Sequence, residues 1–143
     1  MKTTEPTQSA KIGKSILAVI AGFILVFAVS LGADALMHAV GIFPPWGEPM
    51  SDGLFALAAT YRALIGIAGG FVTARLAPRR PMKHAVILGV LGSVAGLLGL
   101  IGTWDKGPEF GPKWYAILVM AMALPTCWLG ARWKMYRDTA NSN

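Results

Sequence analysis

The sequence predicts an all-α, polytopic membrane protein: a four-transmembrane-helix bundle with both termini cytoplasmic. Three observations predict it. Apolar residues make up 55% of the 143 residues and mean hydropathy is +0.55, more than a soluble core of this size carries. The apolar residues fall into four runs, each near the ~20 residues that cross a bilayer as a helix. Lysine and arginine are divided unevenly between alternate connections, as orientation by positive charge requires.

The runs extend from Ser15 to Phe43, Leu54 to Ala77, Met82 to Thr103 and Trp114 to Trp133. Inside hydrocarbon an unpaired peptide group is too costly, so each run closes its hydrogen bonds as a helix. Residues 1–14, opening with "MKTTEPTQSA", are polar and expected to be a disordered cytoplasmic tail. Lys11 and Lys14 ahead of an apolar stretch, with "ADA" at Ala33 to Ala35, mimic a cleaved signal peptide. The apolar character continues to Phe43, which favours an uncleaved first span. "FPPWGEPMSDG" turns the chain into the second run, "ARLAPRRPMKH" into the third and "TWDKGPEFGPKWY" into the fourth. Pro125 removes a backbone donor inside the fourth run and should bend it. Residues 15–133 form one transmembrane domain, and 134–143 a second cytoplasmic tail.

Ten basic residues fall on one side: Lys2, Lys11, Lys14, Arg75, Arg79, Arg80, Lys83, Arg132, Lys134 and Arg137. Lys106 and Lys113 fall on the other, and Arg62 completes the 13. The loops around Trp46 and Lys106 are therefore expected outside. Phe43, Trp46, Trp104, Trp114 and Tyr115 would belt the outer interface, and Trp128, Trp133 and Tyr136 the inner one. Arg75, Arg79, Arg80 and Lys83 also form a candidate contact for anionic lipid at the inner surface.

Lipid tails are as apolar as leucine, so membrane helices associate through small residues and interhelical hydrogen bonds. Ala85, Gly89, Gly92, Gly96, Gly99 and Thr103 recur at three- and four-residue steps on one face of the third helix. Arg62, Gly66, Gly69 and Thr73 do so on the second. These seams are expected to bring the second and third helices together, or to serve contact with another copy.

Arg62 lies well inside a span, away from the ends where the other basic residues fall, and there it needs a partner or a route to water. Ser30, Asp34 and His38 share a face of the first helix at four-residue spacing. Asp34 lies fourteen positions before Glu48 and Arg62 fourteen after it. Across a symmetric hairpin the two reach the same depth. The guanidinium fork suits a carboxylate through two hydrogen bonds. His38 would extend this network outward, and Tyr61 would border it. Asp34, His38, Arg62, Tyr61 and Ser30 are thus the candidate ligand or ion site, with a purely structural cluster as the competing reading.

Other chemistry is excluded or weak. One cysteine, Cys127, rules out a disulfide within the chain. His38 and His84 lie toward opposite surfaces, so no metal or haem site, and no cofactor, is expected. Ser30, Asp34 and His38 hold the letters of a hydrolase triad, but their spacing stacks them in a stripe without an oxyanion hole. The glycines lie inside apolar helices and make no phosphate loop. The net charge of +6 follows from topology, so no nucleic-acid partner is expected.

The segments "FPPWGEPMSDG", "TYRALIGIAGG", "TARLAPRRPMKHA" and "GPEFGPKWY" resemble a group of small bacterial four-helix integral membrane proteins. The resemblance covers nearly all of the chain after the tail. It implies a bacterial cytoplasmic-membrane setting and carries no reaction or catalytic residue. The expected function is that of a non-enzymatic membrane protein, homo-oligomeric or accessory to a larger membrane complex. The alternative is a small-solute or ion transporter using the Asp34, His38 and Arg62 pocket.

Overall fold

A computed structural model describes residues 7–142. Four long helices are joined by short connections: α1 (Gln8–Ala39), α2 (Asp52–Leu76), α3 (Pro81–Thr103) and α4 (Lys113–Asn141). A single 3-10 turn, Pro108–Phe110, precedes α4, and no strand occurs among the described residues. All four helices are long and apolar enough to cross a membrane. Their outer surface agrees: Leu17, Leu64, Leu98 and Ile101 are each at least 63% exposed. Side chains of this kind, distributed around a bundle, require an apolar solvent.

The helix ends differ from the sequence-based expectation. α1 begins at Gln8, seven positions before Ser15, so residues 8–14 are helical where a disordered tail was expected. Residues 1–6, with Lys2, lie outside the described residues. α4 likewise continues through Pro125 and past Trp133 to Asn141. At 32 residues α1 is about 48 Å long, well beyond the ~30 Å hydrocarbon thickness. An apolar run marks where lipid ends, and a helix is free to continue into water.

Asp52 of α2 accepts a 3.1 Å hydrogen bond from Trp114 Nε1 of α4, and Lys113 lies over the Trp104 ring. Those contacts gather the α1–α2 turn and the α3–α4 loop at one end, here the hairpin end. At the opposite, basic end Ala74, Ala85 and Ala131 form a core from α2, α3 and α4 with at most 1% exposure.

The hairpin turn is closed by local chemistry. Gly41 (φ 75°) ends α1, with Gly41 N–H donating to His38 O at 3.2 Å and Ile42 N–H to Met37 O at 3.0 Å. This is the paired closure of a Schellman motif, for which glycine supplies the left-handed residue. Glu48 N–H then donates to Pro45 O at 3.1 Å, with Gly47 at φ 89°, the position that requires glycine in a type II turn.

The glycine seam of α3 packs on α4 rather than on α2, the partner expected from its spacing, although Gly69 of the α2 seam also reaches Leu88 of α3. In α3, Gly89, Gly92 and Gly96 face Leu124, Ala123 and Met120 of α4, and Ser93 Oγ donates to Met120 O at 3.0 Å. In α2, Gly66 faces Thr126 of α4, while Gly69 faces Val26 of α1. Gly99 faces no neighbour within 4 Å. Two glycines outside the expected seams make the closest approach to a neighbouring backbone: Gly70 abuts that of Cys127, and Gly130 that of Ile67 and Phe71. α4 is therefore the common partner of α2 and α3, with α1 laid against α2 through Gly22 and Thr73.

Candidate functional site

Arg62 follows the first residue of α2 by ten positions, about 15 Å of helical rise, so it sits midway along a span. Its Nη2 donates to Asp34 Oδ2 of α1, which is the depth match that the symmetric turn predicts. The fork is not used twice. Asp34 Oδ1 accepts instead from the Tyr61 hydroxyl, and Arg62 Nε is buried without a hydrogen-bond partner. Tyr61 is thus a direct ligand of the carboxylate rather than a neighbour. The guanidinium lies 6.0 Å from the centre of the Tyr115 ring of α4, which places one more π face beside the charge.

The expected stripe on α1 is divided. His38 belongs to the turn: its Nδ1–H donates to Pro44 O at 2.6 Å. Its ring stacks on Trp46 at 3.7 Å and meets the edge of Phe43 at 5.3 Å. Phe43 is only 3% exposed, so it is packed inside and is no interfacial belt residue. Ser30 is buried and lies on the other side of the ion pair.

Two cavities meet at Arg62. One, of about 160 Å³, opens at the hairpin end and is bounded by Asp34, His38, Trp46, Glu48, Glu109 and Tyr115 together with Arg62. The other, of about 240 Å³, is a half-open apolar cleft among the four helices, lined by Phe27, itself 59% exposed, with Ser30, Leu88, Met122 and Arg62. Arg62 is the single charged residue lining this cleft. Its side chain and that of Asp34 keep 28% and 17% exposure. The salt-bridged Arg62 thus borders a polar, charged pocket on one side and an apolar cleft on the other.

Glu48, Glu109, Phe55 and Tyr115 are pocket residues that spacing did not select. Both loops were legible as lying at one end, which brings Glu48 and Glu109 near each other. Which way each side chain turns depends on Gly47, and on Gly111 (φ 90°), where a Cβ would lie 2.7 Å from the Phe55 ring.

At the basic end Arg75, Arg79, Arg80 and Lys83 are all exposed. His84, 9% exposed, is held by its turn: Nδ1–H donates to Arg80 O at 3.1 Å, bracing the left-handed Arg80 (φ 49°) before Pro81. Among the described residues no group of three or more His, Cys, Asp or Glu is placed to hold a metal ion. No family model matches this chain, and no curated protein or solved structure matches it.

Proposed function

We propose that this chain is a small, non-enzymatic integral protein of the bacterial cytoplasmic membrane that holds a small solute in its hairpin-end pocket. It works as a homo-oligomer or as an accessory subunit of a larger membrane complex. In this reading both termini are cytoplasmic and the pocket faces outward, which the ten-to-two division of basic residues supports. The exposed Arg75, Arg79, Arg80 and Lys83 then meet anionic lipid at the inner surface.

One observation carries the solute reading: the hairpin-end cavity descends to the Asp34–Arg62 pair. An arginine needing only neutralisation is best served by close packing, because every remaining donor is then shielded or bonded. This one instead lines open space on two sides. The same fact favours a second reading, transport, in which Arg62 faces solute from both sides.

Orientation is tested with Ser51→Cys, in the exposed hairpin turn. The natural cysteine, Cys127, is buried, so background labelling is low. A membrane-impermeant maleimide should label Ser51→Cys in intact cells and leave Ser142→Cys unlabelled; the reverse pattern would refute the outward pocket. Mass measurement of the protein purified in mild detergent should find more than one copy or a bound partner. A bare monomer would remove the assembly half of the reading. Reconstituted alone, a transporter moves solute across a vesicle membrane and an accessory subunit does not.

A further inference from the structure

We infer that the hairpin-end pocket takes a small organic cation, an ammonium or guanidinium head of a few heavy atoms. This rests on the reading of that pocket as a solute site and names the class of solute. Charge is the first reason. Asp34, Glu48 and Glu109 line the cavity against one permanent cation, Arg62. Asp34 is already engaged by Arg62 and Tyr61, whereas Glu48 and Glu109 have no ion-pair partner among the described residues. Lys113, at the same end, is drawn over Trp104 at 4.1 Å, and neither it nor Lys106 lines the cavity. A cleft lined by an excess of one sign between low-dielectric walls concentrates ions of the other sign.

The walls are the second reason. His38 stacked on Trp46 forms one side, and Phe55 with Tyr115, their rings 4.9 Å apart, the other. Aromatic faces attract ammonium groups, quaternary ones included, through their quadrupole. Tyr115 already receives the Arg62 guanidinium in this way. Size is the third. A cavity of about 160 Å³ is smaller than the ~300 Å³ at which sites for drug-sized ligands begin. An anion would meet two unpaired carboxylates. A bare hard cation would need several converging oxygen ligands, and the described residues offer no such grouping.

The test uses the full chain in maltoside micelles, which carry no choline headgroup, and saturation-transfer NMR read on the methyl protons of choline. Choline should give saturable transfer that tetramethylammonium competes away and that potassium chloride at equal ionic strength leaves in place. The neutral carbon analogue 3,3-dimethylbutan-1-ol should give far less. Glu48→Gln with Glu109→Gln should weaken choline binding about tenfold, and Trp46→Leu should weaken it too. All three residues are exposed, so unchanged circular dichroism and elution volume are expected. Equal displacement by potassium would reduce the effect to charge screening and overturn the inference. Equal transfer to the neutral analogue, or transfer to acetate without choline, would overturn the cation class while leaving a solute pocket in place. Absence of transfer to every probe from the folded protein would take down the pocket itself.

Discussion

Toward the basic end, the α2 and α4 backbones meet so closely that a Cβ on Gly130 would lie 2.6 Å from Phe71 N, and the alanine core there admits no solvent. Toward the hairpin end the same helices meet through large side chains instead, Phe55 against Tyr115 and Asp52 with Trp114. α1 and α2 are held there by a carboxylate, a guanidinium and a phenol, with a cavity on either side of them. The first half gains its cohesion from dispersion at short range, which needs small residues and tolerates no added volume. The second gains it from directional polar contacts, which leave space and resist the loss of a partner. A small membrane protein can thus keep a rigid half and a half with room for a ligand within the same helices.

The comparison is broken most severely by removing the carboxylate. Asp34→Ala strands the Arg62 guanidinium within the span; because the two side chains keep 28% and 17% exposure, the expected loss is about 3 kcal/mol, the lower end of the cost of breaking a buried pair from one side. Thermal unfolding in detergent and steady-state membrane levels should both fall. Arg62→Ala should cost less, because Asp34 keeps its bond from Tyr61. Replacing both by leucine should recover much of the loss. The exchange Asp34→Arg with Arg62→Asp should restore part of what either single change removes. If neither single variant is destabilised, polar pairing is not what holds the hairpin half.

The opposite half is probed by volume. Gly130→Ala places one methyl against backbone atoms that cannot move without parting α2 from α4, at an expected cost of about 1 to 3 kcal/mol. No polar rescue exists there. A Gly130→Ala protein as stable as the wild type would show that the close approach contributes nothing. Between these two in character stands Tyr61→Phe, which keeps the ring and deletes one hydrogen bond to a charged group, worth about 1.5 kcal/mol. Its loss should appear in the same unfolding measurement and should be absent in an Asp34→Ala background, since the acceptor is then already gone.

These contrasts also show what can be read without coordinates. The Asp34–Arg62 pairing was legible because a hairpin turn maps sequence distance onto depth: equal offsets from Glu48 mean equal height. Tyr61 was not. Adjacent residues are about 100° apart around a helix, so Tyr61 and Arg62 reach one carboxylate only if α2 is rotated with the seam between them. That rotation is set by packing against α4. The glycine stripes were legible as surfaces of close approach, but a small residue says that a neighbour comes near and not which neighbour. Hence the α3 stripe was assigned to α2, while its partner is α4. His38 followed Asp34 on the helix face, yet it sits in the last turn of α1, where the Pro44 carbonyl competes for its ring. The four spans themselves were the most legible feature, because the cost of exposing peptide groups to lipid leaves the chain no other choice.

The smallest effect is the sharpest test of where the rigid half ends. Gly92 and Gly99 lie on the same α3 stripe, one heptad apart. A Cβ at Gly92 would sit 3.2 Å from Ala123 Cβ, whereas one at Gly99 would meet nothing within 4 Å. Gly99→Ala should therefore be neutral or stabilising by up to about 1 kcal/mol, since alanine surrenders less backbone freedom than glycine in a helix. Gly92→Ala gains the same propensity, but it must push α3 and α4 apart by a few tenths of an ångström. It should come out less stable than Gly99→Ala in matched unfolding measurements. Equal stabilities would mean that α3 and α4 yield as easily at Gly92 as at the open end, and that the 3.2 Å approach there carries no packing cost.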